Sequence, residues 1–154
     1  MAVATVEFGG RLVEIGALHL HWPWPFSQHY QIDRLEAPLG ELAETALLAG
    51  DLNATPWSHA ARRIAEAGAL RPVRISGPTW LYRRLPEALR FAGLPIDHIF
   101  AKGGVTAHAA RTLDPAGSDH LPVLFEFSLP ASPASPGVDP PTTVVQGSIS
   151  ARPG

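Results

Sequence analysis

The chain has 154 residues, with 12 basic and 14 acidic side chains and a formal net charge of −2, a length that suits one domain and hardly two. Its 45% hydrophobic content and lack of cysteine exclude wholesale disorder, a disulfide scaffold, a thiolate metal site and a cysteine nucleophile. The charge leaves no global footprint for nucleic acid.

No apolar run approaches the roughly 18 residues of a membrane helix, and the first residues lack the basic-then-apolar order of a signal peptide. The chain therefore reads as soluble and, by default, cytoplasmic.

Gly9-Gly10 marks a turn, and residues 11–20 after it predict the first clear strand. Apolar residues fall on both of its parities, the pattern of a central strand covered on both faces. The loop Trp22-Pro23-Trp24-Pro25-Phe26 ends it. Ser27 is placed to cap a helix reaching about residue 44, with Ile32, Leu35, Leu39 and Leu42 at helical spacing and Pro38 kinking or splitting it. Residues 45–49 predict a short buried strand stopped by Gly50. Thr55-Pro56 predicts a second helix, with Thr as cap and Pro at its first position, closing at Gly68.

Residues 96–100 and 121–129 predict further strands, the last with Leu121, Val123, Phe125, Phe127 and Leu129 on one face. Residues 108–112 are a weaker strand. The order is β-α-β-α-loop-β-β-β, a mixed α+β or layered α/β sandwich. From residue 130 to 154 the text turns to Pro, Ser, Gly and Thr. Such a segment buries too little apolar area to offset its backbone entropy. The expected division is a domain over 1–129 and a disordered tail over 130–154.

Acidic, amide and imidazole groups gather where the strands end: His19, then Gly50-Asp51-Leu52-Asn53, then Asp97-His98 and Ser118-Asp119-His120. Loops at strand ends are where α/β folds aim their chemistry. These residue types suit phosphoester hydrolysis. Asp51, Asn53 and Asp119 offer hard oxygen ligands for a divalent cation. His19, His120 and Asn53 offer donors for phosphate oxygens, and Asp97 can orient an imidazole.

Together these segments resemble the endonuclease/exonuclease/phosphatase superfamily. Leu18-His19-Leu20 is similar to its T-H-L strand end, and Gly50-Asp51-Leu52-Asn53 with the following Thr55-Pro56 to its G-D-F-N loop. Thr79-Trp80 is similar to its T-W signature, Asp97-His98 to its aspartate motif, and Ser118-Asp119-His120 to its S-D-H. The likeness covers residues 9–129 with the motifs in order.

It implies a four-layer αββα sandwich of the deoxyribonuclease-I type and a metal-dependent phosphodiesterase, nuclease or phosphatase using Mg2+ or Mn2+. It also implies roles: catalytic work for His19, Asp51, Asn53, Asp97 and His120, metal binding by Asp119 and Asp51, and substrate contacts by Asn53 and His19. The family's opening strands, ending in an asparagine and a metal-binding Gln-Glu pair, have no counterpart here. The chain thus resembles the C-terminal portion of such a domain, N-terminally incomplete. Taken alone it is expected to bind the cation weakly and turn over little until a missing N-terminal segment is supplied.

Plainer readings stand beside these. His21 reads as a loop-packing residue, and His29, His59 and His108 as surface or core residues without acidic company. His98 reads as packing beside Asp97. The tryptophans near the loops read first as pins and second as stacking surfaces for a base or sugar.

Seven of the 12 basic residues (Arg62, Arg63, Arg71, Arg74, Arg83, Arg84, Arg90) share one stretch with only Glu66 and Glu87. That stretch is either a solvated face or a groove for a phosphate-rich partner, possible nucleic acid included. A non-catalytic remnant and an Arg-rich nucleic-acid-binding module remain the alternatives to a phosphoester hydrolase.

Overall fold

A computed structural model describes residues 1–25, 27–82, 89 and 92–130. Phe26, Arg83, Arg84, Glu87, Arg90 and the tail from residue 131 onward lie outside the described residues. The elements in chain order are β1 (Ala2–Phe8), β2 (Arg11–His19), α1 (Gln28–Gly40), β3 (Ala46–Asp51), α2 (His59–Ala67), β4 (Arg71–Val73), β5 (Asp97–Lys102), β6 (Thr106–Thr112) and β7 (Val123–Ser128).

Five strands form a mixed sheet in the order β1-β2-β3-β5-β4, and β6 and β7 form a second, antiparallel pair. β2 and β3 run parallel through the α1 crossover, while β5 returns antiparallel to β3.

The expected covering of both faces is what the packing shows. On one face Leu18, Leu48 and Phe100 meet Ile32, Leu35 and Leu39 of α1 and Ala60, Ala61 and Ile64 of α2. On the other, Leu47, Ala101 and Val105 pack with Ile15, Val73, Phe125, Phe127 and Leu129, which joins the two sheets. The product is an α/β sandwich of helices, sheet and second sheet. Each fully buried Leu, Ile or Phe in these layers contributes about 1.5–3 kcal/mol. Among the described residues no helix is long and apolar enough to cross a membrane.

Several local expectations are corrected. β1 precedes the strand taken as first. It forms a hairpin with β2 across Gly9-Gly10, whose φ values of 54° and 78° suit a two-residue turn of primed type. Its side chains are almost all exposed, so no buried alternation announced it. The three-residue β4 is likewise additional.

Ser27 does not cap α1 with its side chain, because it sits at φ 54° rather than in the extended region a capping residue needs. α1 is not split: it passes through Pro38 and stops at Gly40. Thr55 opens a turn instead, its carbonyl accepting Ser58 N–H at 2.9 Å, and Ser58 is the cap, accepting Ala61 N–H at 3.1 Å.

The β2–β3 contact is unusually close at Gly50. A Cβ there would overlap the Leu18 carbonyl oxygen, so only glycine allows β3 to lie in this register. Gly50→Ala should therefore destabilise the domain by on the order of 2 kcal/mol or more, a fall of roughly 5–10 °C in melting temperature. A melting curve matching the unsubstituted chain would show that the strands separate there without cost.

Candidate active site

Strand register assembles the site. His19, the last residue of β2, pairs with Asp51, the last of β3, and Asp51 pairs with Asp97, the first of β5. Three of the candidate residues thus share one rung at the ends of the three central strands. His120 joins them from the segment before β7, placing Nδ1 2.9 Å from Asp97 Oδ2 and 3.2 Å from Oδ1.

An ionised carboxylate only accepts, so Nδ1 carries the proton in this contact and a neutral ring turns a lone pair outward on Nε2. That nitrogen faces Asp51 Oδ2 at 3.9 Å, and His19 Nε2 lies 3.6 Å from the same oxygen. Both distances are longer than a direct hydrogen bond.

The electrostatics follow from this crowding. Burial pushes the Asp51 carboxyl up from its ordinary range, and the neighbouring Asp97 charge adds to the rise. The Asn53 backbone N–H and the two imidazoles oppose it. His120 is held above the usual imidazole range, first by its hydrogen bond to Asp97 and further by the charges of Asp97, Asp51 and Asp119. Buried His98 goes the other way through desolvation. Its Nε2 contacts Ala54 O at 2.7 Å and its ring stacks on Phe100.

Asn53 sits at φ 46°, a left-handed conformation that Asn tolerates better than most residues. Its N–H donates to Asp51 Oδ1 at 2.7 Å, closing an Asx turn that fixes the Asp51 carboxylate. Its side-chain amide donates to Leu20 O at 2.8 Å and reaches His19 Nε2 at 3.4 Å. The second contact is long for a hydrogen bond.

Two residues noted only as a signature prove to organise the site. Thr79 is fully buried, and its Oγ1 accepts Ile96 N–H at 3.0 Å and Asp97 N–H at 2.9 Å. Its carbonyl accepts Leu121 N–H at 2.7 Å. Trp80 Nε1 donates to Asp119 Oδ2 at 3.3 Å, and its backbone bridges His120 on one side and Leu94 on the other. Thr79-Trp80 therefore ties the Asp97 loop to the Asp119-His120 loop.

Helix α1 adds Gln28 and Gln31, which the sequence pattern did not mark, since a glutamine on a helix carries no local signal of its target. Gln28 donates to His21 O and Leu52 O, and Gln31 donates to His19 O while accepting His21 N–H.

Among the described residues, the ligand atoms lying within 4.8 Å of one another belong to Asp51, Asp97 and His120. Asp119, expected as a ligand, is outside that set. Two part-buried carboxylate oxygens and an imidazole nitrogen this close together make a donor set that fits a divalent cation.

Two other histidines are engaged elsewhere: His108 bonds Ser128 Oγ at 2.8 Å and His29 lies tilted against Tyr30. Among the described residues of the basic stretch, Arg62, Arg71 and Arg74 are exposed. Arg63 pairs with Asp33 and Glu36 of α1, Arg71 donates to Gly103 O and Val105 O, and Arg62 donates to Trp57 O.

Comparison with known proteins agrees with this geometry. Residues 3–120 match the Endonuclease/Exonuclease/phosphatase family, and the chain belongs to that family. A UPF0294 protein of Vibrio vulnificus (strain YJ016) is 31% identical over 129 residues, covering 79% of this chain and 41% of that protein. The chain thus spans less than half the length of this curated relative.

Among solved structures, an endonuclease/exonuclease/phosphatase from Beutenbergia cavernae DSM 12333 aligns with TM-score 0.63 at 24% identity, covering 82% of this chain and 38% of that one. The mannosyl-6-phosphatase Bt3783 of Bacteroides thetaiotaomicron VPI-5482 aligns with TM-score 0.54 at 18% identity, covering 78% and 52%. At these identities the structures establish the shared fold.

The Thr79 clamp gives a direct test. Thr79→Val keeps the volume but leaves the N–H groups of Ile96 and Asp97 without their acceptor, a loss of about 2–4 kcal/mol. Thr79→Ser should retain most stability. Hydrogen exchange at Ile96 and Asp97 should accelerate in the Val variant alone; equal exchange in both would show that the hydroxyl holds nothing.

Proposed function

We propose that this chain carries the reacting centre of a divalent-metal-dependent phosphoester hydrolase. The observation that carries the reading is the Asp97–His120 pair set against Asp51 on the rung it shares with His19. In this reading Asp97 fixes the His120 ring and holds its Nδ1 proton. Nε2, aimed at the space before Asp51, accepts a proton from water or donates one to a phosphate oxygen. Asp51 positions that water. His19, the most exposed member, donates to a phosphate oxygen or to the leaving group, and Asn53 orients the phosphate through the amide hydrogen now directed at His19.

A bound Mg2+ or Mn2+ would supply positive charge to the phosphate oxygens. Asp51 and Asp119 are the carboxylates proposed to hold it, Asp97 being engaged with His120. Family membership supports the hydrolase class.

Hydrolysis of a generic aryl phosphodiester, with Mg2+ or Mn2+ and the family's opening Gln-Glu segment supplied in trans, tests the assignment. His120→Ala and His19→Ala should each lower the rate by about 100-fold or more, while His108→Ala and His29→Ala should leave it within about twofold. Equal losses from all four would remove the basis for the assignment.

Calorimetric titration with Mn2+ separates the ligand sets. Asp51→Asn should abolish binding, Asp119→Asn should weaken it by about tenfold or more, and Asp97→Asn should leave most of it. The reverse order for Asp97 and Asp119 would give the ion to Asp51, Asp97 and His120 instead.

A further inference from the structure

Beside the Asp97–His120 pair lies a group of rings that hydrolysis itself does not use. Trp80 meets Trp22 edge to face, with centroids 6.5 Å apart and planes at 77°. It meets Tyr82 at 6.3 Å and 49°. The group is anchored at the reacting end, since Trp80 bonds Asp119 through Nε1 and bridges His120 through its backbone. At the other end it is open: Trp22 is 43% and Tyr82 51% exposed.

A tryptophan kept only to pin a loop would be expected to hide its faces, and this loop is pinned by other groups. Gln31 brackets it, accepting His21 N–H at 2.8 Å and donating to His19 O at 2.9 Å. Gln28, itself buried, donates to His21 O at 2.6 Å and to Leu52 O at 2.9 Å. The backbone under Trp22 is therefore held by amides, and its ring is presented with little left to order on binding. Exposed aromatic rings on a rigid support next to a phosphate site suit a planar partner, because stacking accepts any flat π system.

We propose that Trp22, Trp80 and Tyr82 form a stacking subsite for a nucleobase carried by the phosphoester, so that the substrate class is nucleotidyl. The phosphate end of this inference rests on the hydrolase reading; the ring end rests on the aromatic geometry.

Binding of adenosine 5′-monophosphate and of ribose 5-phosphate, which share the phosphate and sugar and differ by the base, tests it without turnover. Calorimetry should give roughly tenfold tighter binding for the nucleotide, with quenching of indole emission. Trp22→Ala and Tyr82→Ala should each erode that preference, and Trp22→Phe should keep most of it. Trp24→Ala and Trp57→Ala should leave it unchanged, since these exposed rings take no part in ring contacts among the described residues. Tyr82→Ala decides the matter should Trp22→Ala disturb the fold.

Equal affinity for the two ligands overturns the subsite, as does a preference that survives loss of both Trp22 and Tyr82. A base preference without diester hydrolysis in the assay supplemented with the opening segment would overturn the hydrolase reading alone, and hydrolysis there without the preference would overturn the subsite alone.

Discussion

The structure depends on one rung of a sheet. β2, β3 and β5 are aligned so that His19, Asp51 and Asp97 stand side by side, and that alignment requires β3 to come against the Leu18 carbonyl, where only Gly50 fits. Because side chains alternate with a period of two, a slip of one residue would turn Asp51 to the opposite face of the sheet from its partners.

The rung also carries an electrostatic load. Carboxylate oxygens of Asp51 and Asp97 lie within 4.8 Å of each other, a gross repulsion on the order of 3 kcal/mol at an effective dielectric near 20. His19 and His120 offset it from either side. Register and charge thus constrain each other: the packing that places the acids together also places the imidazoles that make their proximity tolerable.

Much of this was legible in the amino-acid order. β2, β3, β5 and β7 reveal themselves through buried apolar runs, α1 and α2 through helical spacing, and the acidic and imidazole residues through their position at strand ends. What escaped has identifiable causes. β1 lies at a sheet edge with little burial, so hydrophobic alternation is faint. The cap of α2 passed from Thr55 to Ser58 because Thr55 gives its carbonyl to a turn first. The roles of Thr79, Gln28 and Gln31 were invisible for another reason: a neutral side chain that bonds distant backbone leaves no trace in local spacing. Asp51, Asp97 and His120 were singled out one by one as catalytic residues, with metal binding given to Asp119 and Asp51; that the first three converge on one point needed three dimensions.

The two sheets divide the labour. The helix-backed face of the five-stranded sheet holds the larger apolar core, and the face towards β6 and β7 is a smaller cluster built on Leu47, Ala101 and Val105. His120 reaches the rung from the chain just before β7, so the second sheet delivers the group that completes the site while the first supplies the others. Thr79-Trp80 spans the seam between these contributions.

The clamps around the site are a hydroxyl, an indole and two carboxamides: Thr79, Trp80, Gln28 and Gln31. Apart from the indole's bond to Asp119, their partners are backbone groups, so this scaffold contains few charges for dissolved ions to screen. The cluster it holds, in contrast, is made of carboxylates and imidazoles whose mutual fields fade over roughly 8–10 Å at physiological ionic strength. Brine would therefore reach the two parts unequally, weakening the attraction and repulsion among the functional groups while leaving their placement nearly intact.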